Sequence, residues 1–158
     1  MDKGEGYLLM HRVEVRLKSY LPDARGLSLV RDIYDLGITT VSKVRVVDVY
    51  WLDADLTPDE LDLVCRSLLA DPVTQDYRCE PGSQSEVGAG YYTVEVAYNA
   101  GVTDPVEATV VKALQDLGLG EVRAVKTAKQ IFQEPMTALN PVVAICSKLL
   151  VNPIIQHV

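Results

Sequence analysis

The sequence has few of the residues that recognise nucleic acids. It contains one tryptophan and one phenylalanine, so no aromatic platform for stacking bases is visible. Fifteen basic residues stand against 22 acidic ones, which gives a formal net charge of −7. Because an acidic surface repels phosphate groups, neither nucleic acid nor an anionic membrane is expected as a partner.

Long hydrophobic runs and clustered cysteines are also lacking. No apolar run reaches the roughly 18 residues that a bilayer-spanning helix needs, and the N-terminal MDKGEGYLLM has no signal-peptide core. The three cysteines are not clustered, which fits a reducing compartment better than a disulfide framework. These features predict a soluble, cytoplasmic protein. Cys65 and Cys146 are predicted to be core residues, and Cys79 is expected to have no nearby partner.

Motifs that carry catalysis or metal binding are missing as well. There is no P-loop and no G-x-G-x-x-G after a strand, and His11 and His157 are isolated. The acidic residues between positions 53 and 62 lack calcium-loop spacing and fit the solvated start of a helix. We therefore expect no catalytic site, no metal site and no cofactor for this chain alone.

An internal repeat is the main feature that is present. A shift of 81 positions, the separation of Cys65 and Cys146, superimposes similar segments without a gap. V-E-V at 13–15 falls on 94–96, D-L-G at 35–37 falls on 116–118, and C-x-x-L-L-x-x-P at 65–72 falls on 146–153. Chance does not supply a whole ungapped register, so the repeat is taken as real.

Each copy has the same order of predicted elements. A strand of alternating pattern is followed by a helix that has Asp23 or Asp104 as its N-cap and ends at Gly37 or Gly118. A long extended stretch comes next, either one long strand or a tight pair of strands. A second helix follows, which in the first copy has a capping box of Thr57 and Glu60, and a last strand ends the copy.

The predicted fold is therefore α+β, with two ferredoxin-like-related β-α-β(β)-α-β units in tandem. Residues 1–80 form the first unit, 81–90 a linker, and 91–158 the second unit with a truncated last strand. We expect the two units to cover each other as a pseudo-dimer. The truncation means either that the last strand is dispensable or that the chain is part of a longer protein, and we expect the second.

Both copies resemble a known family through four motifs: a V-x-V strand, a D-P-x-G helix start, V-x-x-V-R-x-G-K on the long strand, and the ending C-x-x-L-L-A-N-x-V-I-x-D-Y-R. The first copy keeps part of the helix start and of the long strand, without the proline and the Gly-Lys, and most of the ending: Asp23, Gly26, Val44, Arg45, Cys65, Asp76, Tyr77 and Arg78. The second copy keeps Asp104 and Pro105 of the helix start, with Glu107 in place of the glycine, and Val125 and Lys129 of the long strand, with Lys126 for the arginine. Its ending matches at Cys146, Leu149, Leu150, Asn152, Ile154 and Ile155. The pattern is similar to PurS, the small accessory subunit of phosphoribosylformylglycinamidine synthase.

The resemblance implies a non-catalytic module of a carbon–nitrogen ligase that uses ATP and glutamine in purine biosynthesis. The expected partners are the synthetase subunit or domain and the glutaminase, which the module bridges for ammonia transfer. It further implies that motif residues face those partners, and the candidates are Asp23, Gly26, Arg45, Asp76, Tyr77, Arg78, Asp104, Pro105, Lys126 and Lys129. The chain is expected to be a monomeric pseudo-dimer or a dimer of pseudo-dimers.

Two other functions remain open. Paired units of this kind often bind an amino acid or a nucleotide between them, which would make the chain a sensor; it would need convergent polar groups at the pseudo-twofold axis. A small dimeric isomerase would need a histidine or carboxylate in an apolar pocket, and the sequence places no such base beside its tyrosines.

Overall fold

A computed structural model describes residues 10–39, 41–79, 92–98, 102, 104–119, 122–134 and 156–157. The helices and strands in these residues follow the predicted order, and the α+β class is confirmed. In chain order they are β1 (Met10–Leu17), α1 (Ala24–Asp35), β2 (Lys43–Ala54), α2 (Pro58–Val64), a π-helical segment (Cys65–Leu69), β3 (Gln75–Cys79), β4 (Tyr92–Tyr98), α3 (Glu107–Asp116), β5 (Val122–Glu134) and β6 (Gln156–His157).

The long extended stretch of each copy is one strand rather than a tight pair. β2 has 12 residues and β5 has 13 residues. The strands are ordered β3-β1-β2-β5-β4-β6 across the sheet. β1 is antiparallel to both β2 and β3, and β4 is antiparallel to both β5 and β6.

The alternation along β1 decides which side chains enter the core. Val13 and Val15 are fully buried on one face, and their partners on β3 are Cys79 and Tyr77. Glu14 therefore points to the opposite face, because successive side chains of a strand alternate. The period-two pattern in the sequence predicted this division.

Helix ends follow the predicted capping chemistry in the first copy. Asp23 is the N-cap of α1 and accepts a hydrogen bond from the backbone N–H of Gly26. The Thr57 hydroxyl caps α2 by accepting from the backbone N–H of Glu60, and it donates to the Glu60 carboxylate. Gly37 and Gly118 have φ angles of 87° and 69°, the left-handed conformation that a helix C-terminus favours for glycine.

The second helix of the first copy widens in a way that its sequence does not predict. Val64, Cys65 and Leu69 of this helix are buried. After Val64, however, the backbone changes to π-helical geometry, and the Ala70 N–H donates to the carbonyl oxygen of Cys65 at 2.9 Å. This single wide turn ends the helix.

The described residues form two compact units, and each unit takes elements from both sequence copies. The α3 unit comprises Met1–Lys18, Asp48–Ser83 and Thr103–Thr127. In its core, Val110 and Leu114 of α3 pack with residues of the first copy: Val13, Val15, Leu52, Ala54, Leu56, Val64, Cys65, Leu69 and Ala70. The first helix of the second copy thus completes a core built largely by the first copy.

The α1 unit comprises Ser19–Val47, Gln84–Val102 and Ala128–Val158. In its core, Ile33 of α1 and Val44 of β2 pack with Val94 and Val96 of β4. Here the helix comes from the first copy and the strand β4 from the second. The pseudo-dimer and the division at 81–90 stay predictions. The linker and the second helix of the second copy lie outside the described residues.

Candidate partner-binding surface

The predicted site residues lie in two different settings. Asp23 and Asp104 are buried at the starts of helices, with relative exposures of 7% and 1%. Asp76, Tyr77 and Arg78 lie on β3, where Asp76 is exposed and the other two are half-buried. The buried aspartates and the β3 residues therefore have different structural roles.

The carboxylate of Asp23 joins helix α1 to strand β2. One oxygen, Oδ1, accepts from the Gly26 N–H at 3.0 Å. The other, Oδ2, accepts from the Val46 N–H at 2.8 Å. A buried carboxylate is stabilised when backbone donors surround it, so Asp23 fixes where α1 starts against the strand.

The backbone of Gly26 lies so close to the same strand that there is no room for a side chain. A Cβ atom added there would be 2.0 Å from the carbonyl oxygen of Val44. The motif glycine therefore allows close approach of two backbones, and the helix start could not lie so near β2 with any other residue.

Asp104 joins its helix start to β5 with a larger set of donors. Its Oδ1 accepts from the Val106 N–H at 2.9 Å, and its Oδ2 accepts from the Thr127 N–H at 2.7 Å. The Thr127 hydroxyl also donates to Oδ2, at 2.5 Å. The regular part of α3 begins at Glu107, two residues later than the sequence predicts, and Pro105 is exposed in the turn before it.

A depression lies between the π-helical segment and β3, with a volume of about 350 Å³. We call it the β3 surface, and its lining residues are Arg66, Ala70, Pro72, Gln75, Asp76 and Tyr77. Two of the predicted partner residues, Asp76 and Tyr77, are thus part of one concave surface.

Polar contacts hold the wall of the β3 surface in place. The Tyr77 hydroxyl donates to Oδ1 of Asp62, and Nε of Arg66 lies 3.2 Å from Oδ2 of the same aspartate. The hydrogen bond to Asp62 raises the pKa of Tyr77 to about 12. Tyr77 is therefore a neutral hydrogen-bond donor at neutral pH.

The turn before β3 closes the other end of the surface. Asp71 Oδ1 accepts from the Val73 N–H at 2.8 Å, and Oε1 of Gln75 accepts from the Asp71 N–H at 2.8 Å. These bonds leave Val73 pointing outward, with 74% of its surface exposed.

Arg78 belongs to a row of charges on the other face of the sheet. It lies opposite Glu14 in the pairing of β1 and β3, and Glu14 is only 3% exposed. The Glu14 carboxylate is paired with Arg12 and, at 2.8 Å, with Nη2 of Arg16. Arg12 also lies over the Trp51 ring, 5.4 Å from its centre.

Sequence reasoning did not identify the Glu14 row or the neighbours of Tyr77. The pattern R-x-E-x-R at positions 12–16 could have indicated the row, because alternate strand residues share a face. The i,i+4 spacing of Asp62 and Arg66 could have indicated their ion pair. No sequence pattern places Tyr77 beside Asp62, since the turn after the π-helical segment sets that contact.

The remaining basic candidates lie on the two long strands, β2 and β5. Arg45 is half-buried on β2 in the α1 unit. The backbones of Lys126 and Lys129 lie in β5, and their side chains lie outside the described residues.

The expectation that Cys79 has no nearby partner is wrong. Its sulfur lies 2.9 Å from the sulfur of Cys65, because β3 returns alongside the helical segment that carries Cys65. Both thiols are free. The predicted burial of Cys65 is confirmed, and Cys146 lies outside the described residues.

Within the described part of the chain, no three His, Cys, Asp or Glu side chains come together as a potential metal site. None of the helices described there combines the length and apolar character that crossing a membrane requires.

Comparison with known proteins gives one family. A family model described as PurS, phosphoribosylformylglycinamidine (FGAM) synthase, matches residues 10–82 and again residues 91–158. The chain is similar to PurS of Methanocaldococcus jannaschii, at 23% identity and a TM-score of 0.40, over 45% of this chain and 92% of that one. It is also similar to PurS of B. subtilis, at 28% identity and a TM-score of 0.41, over 45% of this chain and 94% of that one. No curated protein sequence matches it.

Proposed function

Since the chain belongs to the PurS family and matches its model twice, we propose that it is the non-catalytic assembly module of FGAM synthase, bridging synthetase and glutaminase. FGAM synthase is a ligase complex of purine biosynthesis, and PurS is its small component. In the proposed role the module holds the two active sites in line, so that ammonia from glutamine reaches the synthetase.

The tandem match is the observation that carries this proposal. Two PurS-type sequences in one chain supply two sets of family motifs, and both sets keep the buried aspartate that joins helix to strand. A chain built from repeated framework elements is suited to holding larger partners together.

The β3 surface is the proposed docking site. Three exposed aspartates belong to it or contact its lining: Asp76 lines it, Asp62 bonds to Tyr77, and Asp71 bonds to Gln75. Tyr77 supplies an aromatic wall, and Val73 supplies an exposed apolar side chain. This combination fits a partner surface with basic side chains around an apolar centre, and such an association weakens as salt rises.

Reconstitution tests the proposal. The full chain is mixed with a PurS-dependent synthetase and glutaminase, and glutamine-dependent FGAM formation is measured with and without it. We expect no activity from the chain alone and a requirement for it in the mixture. Activity that is independent of the chain would contradict the proposed role.

A charge reversal tests the docking site. Asp76→Lys on β3 should weaken binding to the partners at least tenfold, because it places a like charge against the basic surface. Asp32→Lys is the matched control, since Asp32 is an exposed aspartate on α1 and is not one of the residues that line the β3 surface. Equal effects of the two variants would remove the β3 surface from the proposal and leave the assembly role to be judged by reconstitution.

A negative reconstitution would bring the sensor alternative forward. Thermal shifts of the chain with amino acids and purine nucleotides would then test whether it binds a small molecule.

A further inference from the structure

Two cysteine sulfurs lie within reaction distance of each other, outside any role that the proposed function uses. Cys65 begins the π-helical segment, and Cys79 ends β3. Their sulfur atoms are 2.9 Å apart and share a hydrogen bond. The thiols are separated by 14 positions in the chain, so only the tertiary fold brings them together.

The two thiols differ in environment, as an attacking and a resolving thiol do. Cys79 is half-buried, whereas Cys65 is fully buried in the core of the α3 unit. The hydrogen bond with Cys65 lowers the pKa of Cys79. The same bond, together with burial, raises the pKa of Cys65. Cys79 is therefore the thiol that reacts first with an oxidant from solvent.

We propose that Cys65 and Cys79 form a redox-active dithiol that a small disulfide such as oxidised glutathione converts to an intramolecular disulfide. The pair needs no large movement, because the sulfurs already lie next to each other.

The reaction balances as two successive thiol–disulfide exchanges. Cys79, as the thiolate, attacks one sulfur of the oxidant, which breaks the oxidant's S–S bond and releases one molecule of glutathione. Cys65 then loses its proton and attacks the Cys79 sulfur of the mixed disulfide, which releases the second glutathione. Overall, two protein thiols are oxidised to one disulfide, and one small disulfide is reduced to two thiols.

The bond would close a loop that contains the entire β3 surface. Residues 66–78 include every side chain that lines the depression, Arg66 and Tyr77 among them. A covalent link between the π-helical segment and the end of β3 restricts this loop in the unfolded chain and holds both of its ends in the folded one. Formation of the disulfide does not depend on the proposed function; only its effect on partner binding does.

The test uses the full, folded chain with oxidised glutathione. Intact mass spectrometry should show the loss of two hydrogen atoms, and peptide mapping should find one bond, between Cys65 and Cys79. The melting temperature should rise by roughly 6–12 °C, as expected for closing a loop of this length in a protein of this size. Reduction with dithiothreitol should reverse both changes.

Two variants serve as controls. Cys79→Ser should show neither the mass change nor the thermal shift, and it alters only a half-buried position. Cys65→Ala, a second variant that leaves the core apolar, should stop at the mixed disulfide of Cys79 with glutathione.

Four outcomes in the wild-type chain would each overturn the inference: thiols that stay reduced, a mixed disulfide that persists, a bond that involves Cys146, or a bond between two chains. None of them bears on the reconstitution of FGAM synthase, so failure of the dithiol and failure of the assembly role can be told apart.

Discussion

The starts of α1 and α3 are equivalent in the repeat, and yet they are built differently. Asp23 and Asp104 each accept a hydrogen bond from the strand residue 23 positions later, Val46 in one case and Thr127 in the other. In the first copy the helix begins at once, with Gly26 against the carbonyl oxygen of Val44. In the second copy Glu107 replaces this glycine, and the regular helix starts only there.

The difference shows which part of the motif tolerates change. The bond from aspartate to strand is present in both copies, so it fixes the helix relative to the sheet. The close backbone approach is possible only where glycine is present. In the second copy, which lacks this glycine, the Asp104 carboxylate accepts from the Val106 N–H instead, and the Thr127 hydroxyl is a further donor.

Removal of the aspartates should have the largest effect. Asp104→Ala leaves two backbone N–H groups and a hydroxyl without their acceptor, and we expect it to lower the free energy of unfolding by about 4 kcal/mol. Asp23→Ala leaves two backbone N–H groups without their acceptor and should lower the free energy of unfolding by about 3 kcal/mol. Urea unfolding monitored by circular dichroism measures both.

Asp32→Ala is the control for these two variants, because Asp32 is exposed on α1 and its loss should change stability by less than about 0.5 kcal/mol. If either buried aspartate could be replaced at a similarly small cost, the bond to the strand would not be what fixes the helix.

The glycine substitution should have the second largest effect. Gly26→Ala places a Cβ 2.0 Å from the Val44 carbonyl oxygen, so α1 or β2 must shift, at a cost of about 2–3 kcal/mol. Glu107→Ala changes the equivalent position of the second copy, where a side chain is already present. Glu107→Ala should lower the free energy of unfolding by about 0.5 kcal/mol, because an acidic residue is lost from the first helical turn.

The same unfolding measurement compares the two substitutions. Alanine is the better helix former, so without the close contact Gly26→Ala would stabilise the protein. A decrease in the free energy of unfolding of Gly26→Ala would support the close backbone approach in the first copy, and an increase would contradict it.

The smallest effect concerns the pair of Tyr77 and Asp62, which only the first copy has, since valines 158 and 143 occupy the equivalent positions in the second. The hydrogen bond raises the pKa of Tyr77 from 10.0 to about 12. A raised pKa in the folded state means that the bond's stabilisation is complete below pH 10 and is lost as the pH rises through 12.

Tyr77→Phe should therefore be less stable than the wild type at neutral pH, and this deficit should disappear in alkaline solution. Thermal unfolding across that pH range measures it. Tyr34→Phe is the control, because Tyr34 is 65% exposed on α1 and should show no such change. A deficit for Tyr77→Phe that persists through pH 12 would mean that the pair does not shift the titration.

Much of the local structure could be predicted because it depends on neighbours in the chain. The β1 alternation, the N-cap at Asp23, the capping box at Thr57 and the glycine at position 37 all involve residues within a few positions of each other. The start of α3 was displaced by two residues where Glu107 replaces the glycine that lets α1 approach its strand, and that approach of two backbones is not a local contact.

The candidate surface was predictable only in part. The family motif pointed to Asp76 and Tyr77, which do line one depression. It did not indicate Asp62 and Arg66. The contact of Asp62 with Tyr77 depends on how the chain turns after the π-helical segment, and Arg66 pairs with the same aspartate.

The sequence by itself determined the repeat, the order of helices and strands, and membership of the PurS family, because these depend on the spacing of residues along the chain. Only the tertiary structure decided that α3 completes a core made largely by the first copy, and that Cys79 meets Cys65. Contacts between distant segments depend on which apolar faces are available to pack against one another. A periodic pattern identifies such a face but not the segment that packs against it.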